Sequence, residues 1–292
     1  MDWPLKIQGR FITEAQVNEI RLLLDTHPSW NRSRLSRELC GRWNWQRPDG
    51  QIKDMACREL LRKLEFRSLI KLPPRQCFGP RRPPEIKPVE VDQSLVSCRL
   101  SDIQPVNIVD ARLCAEYETT FNYLVKEYHY LSYSRPVGQN MKYLILGRNG
   151  RILGCFLFGA AAWKTESRDR WIDWSPTERE QNLGLICNNT RFLILDWVKV
   201  PHLASHVLGA CLRRLSRDWK KRYGTPIALV ETFVDTTRYA GTCYKAANWQ
   251  KIGQTKGRSR QDGDRTLEVS VKDIFVYPLR NDFRRMLTEK QE

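Results

Sequence analysis

Two apolar, strand-like runs separated by a long amphipathic stretch constrain the fold of this chain more than any other feature. The run 191–200 is rich in β-branched residues and has the length of a buried strand. Residues 203–224 then place apolar side chains every three or four positions and end at Gly224, as an amphipathic helix does. The run 227–235 is a second strand of the buried type. A strand, a helix and a strand in this order predict neighbouring parallel strands joined by a crossover helix.

Shorter elements on both sides of this unit complete one domain over residues 91–292. Two apolar runs within 142–163 flank Asn149 and Gly150, a pair that predicts the turn of a β-hairpin. Residues 241–249 are predicted to form a short helix, after which the last strands follow. Because antiparallel and parallel neighbours then share one sheet, the domain is predicted to be α/β with a mixed sheet.

Residues 1–75 predict a separate module that is winged helix-turn-helix-like. Three amphipathic helices precede a short apolar run at 68–72 that has the character of a strand, which is the order of elements in that fold. The third helix, 53–67, is predicted to turn Met55 inward and to enter the major groove of DNA with its outer cations. Those cations are Arg58, Arg62 and Lys63. Small three-helix modules also dock to proteins, and a basic helix face is often merely solvated, so both alternatives stay open.

Residues 76–90 are dense in proline and arginine and predict a stiff linker, because proline neither continues a helix nor pairs within a sheet. Arg81 and Arg82 lie in this linker and are candidates for contact with phosphates. A linker without any partner explains the same composition equally well.

The formal charge of +16 limits the classes of partner. The chain has 49 lysines and arginines against 33 acidic residues. So large an excess favours DNA or RNA over a membrane, since no apolar run is long enough to span a bilayer. A soluble protein with many surface arginines is the alternative. Nine cysteines without close spacing, and an N-terminus without an apolar signal, predict a cytoplasmic protein.

Three carboxylates are candidates for catalysis. Glu231 and Asp235 are four positions apart in one predicted strand and so share a side, and Asp196 lies in the neighbouring strand. Together they would bind Mg²⁺ or Mn²⁺ at the carboxyl ends of parallel strands and support phosphodiester cleavage. Ion pairs with some of the many arginines are the alternative role.

Two of the four histidines occupy positions that favour chemistry. His129 lies in an aromatic cluster. His206 lies in the first turn of the long helix, where the helix dipole disfavours the cation and leaves a neutral base or ligand. A buried, hydrogen-bonded histidine is the alternative for either one.

Further candidates for nucleic-acid binding lie in the second domain. The glycine-containing loop 253–265 and the helix before it carry lysines and arginines that are predicted to grip a phosphate backbone. Three tryptophans are predicted to stack on the bases of a single strand, with a place in the core or in a protein contact as the alternative. Two of them belong to the charged segment 164–180, which is predicted to be an exposed loop and helix. The cations are Lys245, Lys256, Arg258, Arg260 and Arg265, and the tryptophans are Trp171, Trp174 and Trp249.

The order of elements in the second domain resembles the GNAT acyltransferase fold. The helix CYKAANW (243–249) stands where that family carries a tyrosine followed by Gly-Phe, so the resemblance implies that Tyr244 matches the proton-donating tyrosine. The family holds the pyrophosphate of acetyl coenzyme A on the backbone amides of an Arg/Gln-x-x-Gly-x-Gly/Ala motif. Residues 202–210 have only Gly209 at that place, with bulky side chains at the approach, so acetyl coenzyme A is not expected as a cofactor.

A second resemblance covers nearly the whole chain. It is to the DruA family of the Druantia anti-phage defence systems, and it is carried by YHYLSYSRPVG, NTRFLILDWVKVPHLASHVLG and ETFVDTTRYAGTCYKAANWQKIGQTKGR. It implies bacterial defence, action on or around DNA, and other proteins of the system as partners. The sequence therefore predicts a defence component that binds nucleic acid, DNA above all, through a basic surface. A nucleic-acid-modifying enzyme, either a metal-dependent nuclease or a degenerate acyltransferase, is the second hypothesis.

Overall fold

The structure is a computed structural model of the chain, and it divides into two units, Met1–Pro84 and Glu85–Glu292. It describes residues 3–7, 10–46, 50–74, 85–257 and 270–289. Within those ranges, no helix is both long and apolar enough to cross a membrane.

A short hairpin and three helices form the first unit. They are β1 (Leu5–Ile7), β2 (Arg10–Ile12), α1 (Glu14–Thr26), α2 (Arg32–Arg42) and α3 (Asp54–Phe66). β1 and β2 pair antiparallel, and the apolar sides of the three helices close over one core. Thr13 begins α1 with a capping box, in which its hydroxyl accepts from the Gln16 amide and the Gln16 side chain accepts from the Thr13 amide.

The predicted strand at 68–72 is wrong, because these residues form a turn followed by irregular chain. The Leu69 amide donates to the Leu64 carbonyl (3.0 Å), and the Leu72 amide donates to Glu65 Oε1 (3.1 Å). Donors that a sheet would use are therefore bound at the end of α3. The described strands of this unit lie before α1 instead, so the winged helix-turn-helix is not confirmed.

Two further features depart from that expectation. The connection from α2 to α3 spans residues 43–53, which is longer than the three or four residues of a helix-turn-helix. Met55 does not turn inward, because 66% of it is exposed. Arg81 and Arg82 fall in residues 75–84, outside the described residues.

A seven-stranded mixed sheet organises the second unit. The strands of the unit are β3 (Val96–Ser97), β4 (Asn107–Asp110), β5 (Met141–Leu146), β6 (Ile152–Ala160), β7 (Ile186–Ile194), β8 (Val198–Lys199), β9 (Leu229–Asp235), β10 (Gln250–Gln254) and β11 (Lys272–Pro278). The sheet has the order β10-β11-β9-β7-β6-β5-β4, and β3 pairs with β8 apart from it. Neighbours in the sheet run antiparallel except for β7 and β9, which are parallel. The predicted parallel neighbours and mixed α/β sheet are thus confirmed.

Helices cover the sheet in two apolar clusters. They are α4 (Leu100–Ile103), α5 (Ala115–Tyr128), α6 (Glu166–Ile172), α7 (Pro176–Asn182), α8 (Leu203–Tyr223), α9 (Thr242–Ala246) and α10 (Phe283–Thr288). The larger cluster packs α5 and α8 against the sheet, and the smaller one joins α6 and α10 to the first residues of β7 and β9. α8 ends at Gly224, as predicted, where a φ of 80° lets the amide donate to the Lys220 carbonyl.

β7 and β9 pair only at their beginnings. Residues Ile186 to Asn188 lie beside Leu229 to Glu231, and no further pairs follow along these two strands. A shift of register against β6 at the next positions marks a β-bulge, which bends β7. The two strands therefore separate beyond Asn188, and we call the space between them the strand opening.

Candidate functional site

Asn189 fixes the bulge at which the strand opening begins. Its Nδ2 donates to the carbonyls of Leu157 (3.3 Å) and Arg191 (3.0 Å). Its Oδ1 accepts from the Tyr244 hydroxyl (2.8 Å), and its backbone carbonyl accepts from the Thr232 hydroxyl (3.0 Å). Hydrogen bonds of the side chain and backbone carbonyl of one asparagine thus connect β6, β7, β9 and α9, and hold the opening in one shape.

Tyr244 lies beside the strand opening, where its hydroxyl donates to Asn189. Only 8% of it is exposed, its ring stacks on Phe275 at 5.9 Å, and burial raises the pKa of its hydroxyl. The one hydroxyl hydrogen is engaged by Asn189. A role as proton donor to a substrate stays a prediction.

Glu231 forms a buried ion pair. Its Oε2 accepts from Arg168 Nη1 (2.9 Å) and its Oε1 accepts from the Ala162 amide (2.7 Å). Both charged side chains are fully buried. Burial raises the pKa of the carboxyl, and the charge of Arg168 opposes that shift. The ion-pair alternative that the sequence left open is therefore what the structure has for Glu231.

Arg168 comes from the segment 164–180, which is not the exposed loop and helix that was predicted. The segment forms α6 and α7, and it buries Arg168, Ile172 and Trp174. Arg168 also donates to the Ala162 carbonyl (2.8 Å) and to Asp169 (2.8 Å). The reason for the error is that partners distant in the sequence offset the desolvation cost of a buried charge, and the local pattern of residues does not show those partners.

The predicted carboxylate cluster is wrong. Four residues of strand separate Glu231 from Asp235 by about 13 Å. Asp235 is occupied at the end of β9, where it accepts from Thr237 Oγ1 (2.7 Å) and Ser270 Oγ (2.8 Å), and these bonds lower its pKa. Asp196 is exposed in the turn after β7, eight residues beyond the last parallel pair. The described residues contain no group of three or more potential metal ligands.

The loop after α5, strand β7 and the turn after β9 bring aromatic and cationic side chains together next to the strand opening. We call them the aromatic–arginine cluster: His129, Tyr130, Arg191, Arg238 and Tyr239. The Tyr130 ring lies 4.8 Å from His129, 5.6 Å from Tyr239 and 5.1 Å from the Arg238 guanidinium. Tyr130 and Arg191 are close enough to influence one another's pKa.

His129 is the most perturbed histidine of the chain. Burial and the nearby Arg191 lower its pKa to about 4, so the imidazole is neutral at physiological pH. Nδ1 accepts from the Leu131 amide (3.1 Å), which places the remaining hydrogen on Nε2. His206 is half-buried in the first turn of α8, as the sequence predicted for its place in the chain.

Acids neutralise most of the described cations that the sequence singled out. Arg58 is paired with Asp54 and Arg62 with Glu59 on α3, and Lys256 is paired with Glu166. Among the described residues, Lys63 and Lys245 have no acidic group within ion-pair distance. Arg258, Arg260 and Arg265 fall in residues 258–269, outside the described residues.

The tryptophans that were predicted to stack on bases differ in their burial and in their ring contacts. Trp249 is 4% exposed and packs against Tyr244 and Tyr277, so the prediction that it stacks on a base is wrong. Trp171 is half-buried, its ring stacks on Phe283 at 5.2 Å, and the Arg284 guanidinium lies 4.6 Å from the Trp171 ring and 4.9 Å from the Phe283 ring. That Trp171 stacks on a base stays a prediction.

A row of cations on α8 was not among the residues that the sequence singled out. It consists of Arg213, Arg217, Lys220 and Lys221, all exposed, and we call it the α8 row. Arg217 comes no closer than 3.8 Å to Asp218, an acid that Arg214 and Tyr143 already bind. In the described part of the chain, the other three have no acid within ion-pair distance. The signal in the sequence was the spacing of four between cations at 213, 217 and 221.

Comparison with known proteins gives one family and a set of weakly similar structures. The family described as Druantia protein DruA matches residues 98–268, more than half of the chain. No curated protein matches it in sequence.

The similar structures are acyltransferases by name. A spermidine N-acetyltransferase from Vibrio cholerae, in complex with CoA and spermine, is 8% identical with a TM-score of 0.36, over 59% of this chain and 92% of that one. A putative acyl-CoA N-acyltransferase from Klebsiella pneumoniae is 16% identical with a TM-score of 0.35, over 60% and 99%. Nourseothricin acetyltransferase is 11% identical with a TM-score of 0.29. The matched region is 48% of this chain and 66% of the acetyltransferase, slightly less than two thirds of its length. TM-scores of this size carry no argument about fold or activity.

Proposed function

Because the chain belongs to the Druantia protein DruA family, we propose that it is a component of an anti-phage defence system that binds nucleic acid, DNA in particular, through the α8 row. The observation that carries the proposal is that these four exposed cations lie together and that, among the described residues, only Arg217 comes near an acid, at 3.8 Å from Asp218. An excess of positive charge that stays unpaired on one surface attracts a polyanion.

The neighbours of the α8 row distinguish it from the other cationic helix surfaces. On α3 and α6, cations face acids one turn away, as Arg58 faces Asp54 and Arg170 faces Glu166. Arg217 instead has cations one turn away on both sides. Like charges at this spacing destabilise a helix by about 0.2–0.5 kcal/mol for each pair. A bound polyanion removes that cost.

The helix dipole does not account for the whole row. Cations in the last turn of a helix are favoured by the dipole, which explains Lys220 and Lys221, but the effect fades within that turn. Arg213 lies ten residues before Tyr223, the end of α8. From Arg213 to Lys221 the row extends about 12 Å along the helix, which corresponds to three or four phosphates of one strand.

The direct test is binding of the full chain to a labelled 30-nucleotide duplex and to the matching single strand, followed by fluorescence anisotropy across a range of salt concentrations. Four phosphate contacts predict a slope of log K against log salt of about −3.6 for duplex and about −2.8 for single strand. The double variant Arg213→Ala/Arg217→Ala is expected to halve the slope.

A matched control removes the same charge elsewhere. Arg170→Ala/Arg285→Ala takes away two exposed arginines that are paired with acids, so its binding is expected to stay close to that of the unchanged protein. Phage plating on cells that carry the defence system should rank the two variants in the same order. Equal losses in the two variants, or binding that ignores salt, would refute the proposal.

A further inference from the structure

We infer that the aromatic–arginine cluster holds one unpaired nucleotide of a bound strand, with the base against Tyr239 and Tyr130 and the phosphate against Arg238 and Arg191. This inference rests on the proposed function and extends it, because it names the single-stranded nucleotide as the group that the second unit recognises. The α8 row contacts phosphates of any strand, whereas this cluster requires a base with a free face.

Tyr239 supplies an aromatic face that the fold leaves in water. It is 54% exposed and stands on the turn after β9. That turn is fixed, because the Tyr239 amide donates to the Asp235 carbonyl (2.9 Å) and the Asp235 carboxylate binds Thr237 and Ser270. An exposed ring on a preorganised turn loses little conformational entropy when a base stacks on it.

Tyr130 lies next to Tyr239, and the Arg238 guanidinium lies over the Tyr130 ring. Its ring is 5.6 Å from the Tyr239 ring, and the Arg238 guanidinium lies 5.1 Å from its centroid. Arg238 is exposed and has no ion pair among the described residues. Aromatic rings beside an unpaired arginine are the combination with which proteins bind single strands, because the base stacks while the cation meets the phosphate.

Arg191 is a second cation that lacks an anion. It is half-buried, and burial lowers its pKa. Its Nε donates to the Ser132 carbonyl (3.1 Å) and its Nη1 to the Thr190 carbonyl (2.8 Å), and no carboxylate of the described chain pairs with it. Arg168, which is also withdrawn from water, has two carboxylates. A guanidinium with carbonyl partners alone still gains from an anion, and its planar fork fits a phosphate.

His129 adds a neutral donor next to Arg191. Because Nδ1 accepts from the Leu131 amide, the hydrogen of the neutral imidazole is on Nε2. Such a group donates to a base edge or a phosphate without adding a charge that would have to be desolvated. Base, phosphate and neutral donor together fit a nucleotide better than an inorganic anion.

The test compares Tyr239→Leu with Tyr239→Phe in the full chain, using a single strand that carries 2-aminopurine, the matching duplex, deoxyadenosine monophosphate and free coenzyme A. Loss of one stacked base weakens binding by about 5- to 140-fold. We expect Tyr239→Leu to lose that much on the single strand with its 2-aminopurine signal, Tyr239→Phe to stay within about twofold, and duplex binding to remain unchanged. Trp163→Leu, which removes an aromatic residue of similar exposure (51%), should match the unchanged protein.

Each arm separates one outcome. If Tyr239→Leu binds the single strand normally while Arg213→Ala/Arg217→Ala does not, the inference is overturned and the proposed function stands. If the unchanged protein binds neither strand, the proposed function itself fails. If Tyr239→Leu weakens only the free nucleotide or coenzyme A, the cluster is a small-molecule site and the inference is overturned. Melting temperatures that agree between the leucine and phenylalanine variants show that folding does not cause the difference.

Discussion

Replacement of Glu231 by glutamine separates a structural role from a catalytic one. The substitution keeps the volume of the side chain and one acceptor for the Ala162 amide, but it removes the charge that faces Arg168 across 2.9 Å. Both side chains of the pair are fully buried, so no water replaces the lost partner. The arginine keeps Asp169 and the Ala162 carbonyl as partners.

The size of the effect follows from the burial. Removal of one partner of a buried ion pair costs about 3–5 kcal/mol, and the remaining partners of Arg168 place Glu231→Gln at the lower end, about 3 kcal/mol. For a unit of this size, each kcal/mol lowers the melting temperature by about 2–4 °C, so a decrease of about 6–12 °C is expected. The melting transition affected should be that of the second unit, which contains both residues.

Thermal and urea unfolding of the full chain, monitored by circular dichroism, measure this loss. A double-mutant cycle with Arg168→Met isolates the pair, and the double variant should lose less than the sum of the two single variants by about 1–3 kcal/mol. A change in stability of less than about 0.5 kcal/mol in Glu231→Gln would refute the reasoning. Glu231 would then again be a candidate for catalysis.

Three further predictions concern other parts of the second unit. A histidine in the unfolded chain has a pKa of about 6.5, whereas His129 in the folded chain has a pKa of about 4, so the free energy of unfolding should fall by about 3 kcal/mol as the pH drops from 6.5 to 4. In a pH series of urea unfolding curves, His129→Gln should remove this decrease. A pH dependence that is the same in His129→Gln contradicts the assignment. Arg217→Gln removes like-charge pairs with the cations one turn away on either side, so it should raise the free energy of unfolding by about 0.5 kcal/mol at low salt. At 1 M salt, where the Debye length is about 3 Å, no increase is expected. A lower free energy of unfolding at low salt would mean that the 3.8 Å contact of Arg217 with Asp218 outweighs the repulsion. Gly241→Ala should lower the free energy of unfolding by about 1–3 kcal/mol, because Gly241 has a φ of 68° and an added Cβ would lie 2.8 Å from the Phe275 ring; a neutral result would show that the turn before α9 adapts.

Periodicity predicted the second unit well where one principle decided the outcome. The spacing of apolar residues in 203–224 and the glycine at its end determine α8, because a helix with one apolar side has only one way to bury it. The hairpin of β5 and β6 is also confirmed, although its turn runs from Gly147 to Arg151 rather than over two residues. Errors arose where a segment found partners that its local pattern does not reveal.

The run 68–72 and the segment 164–180 illustrate those partners. The pattern of residues 68–72 is typical of a strand, but two of their amides donate hydrogen bonds to the Leu64 carbonyl and the Glu65 side chain. The second reads as exposed because it is charged, yet Arg168 is buried against carboxylates from two elements. Hydrogen bonds between residues distant in the chain override local propensity, and a single sequence does not show which residues will meet.

The same limit applied to the candidate site. A carboxylate in a sequence looks free for catalysis until its partner is known, and Glu231 has Arg168 as that partner. Tyr130, Arg191 and Tyr239 come from three distant stretches, so only the fold could assemble them into one cluster. The aromatic surroundings predicted for His129 are present, while the cause of its lowered pKa, burial beside Arg191, is tertiary.

Local pairing decides how a strongly basic chain uses its charge. The formal excess of +16 describes the whole molecule. On α3 and α6, however, acids one turn away pair with most of the cations, so these helices attract a polyanion only weakly. In the α8 row, by contrast, only Arg217 comes near an acid, at 3.8 Å from Asp218. Since potential depends on unpaired charge and decays within about 10 Å in salt, attraction of a polyanion to the described part of the chain should concentrate at α8. The third helix of the first unit, which the sequence favoured as the reader of DNA, is then the weaker of the two surfaces.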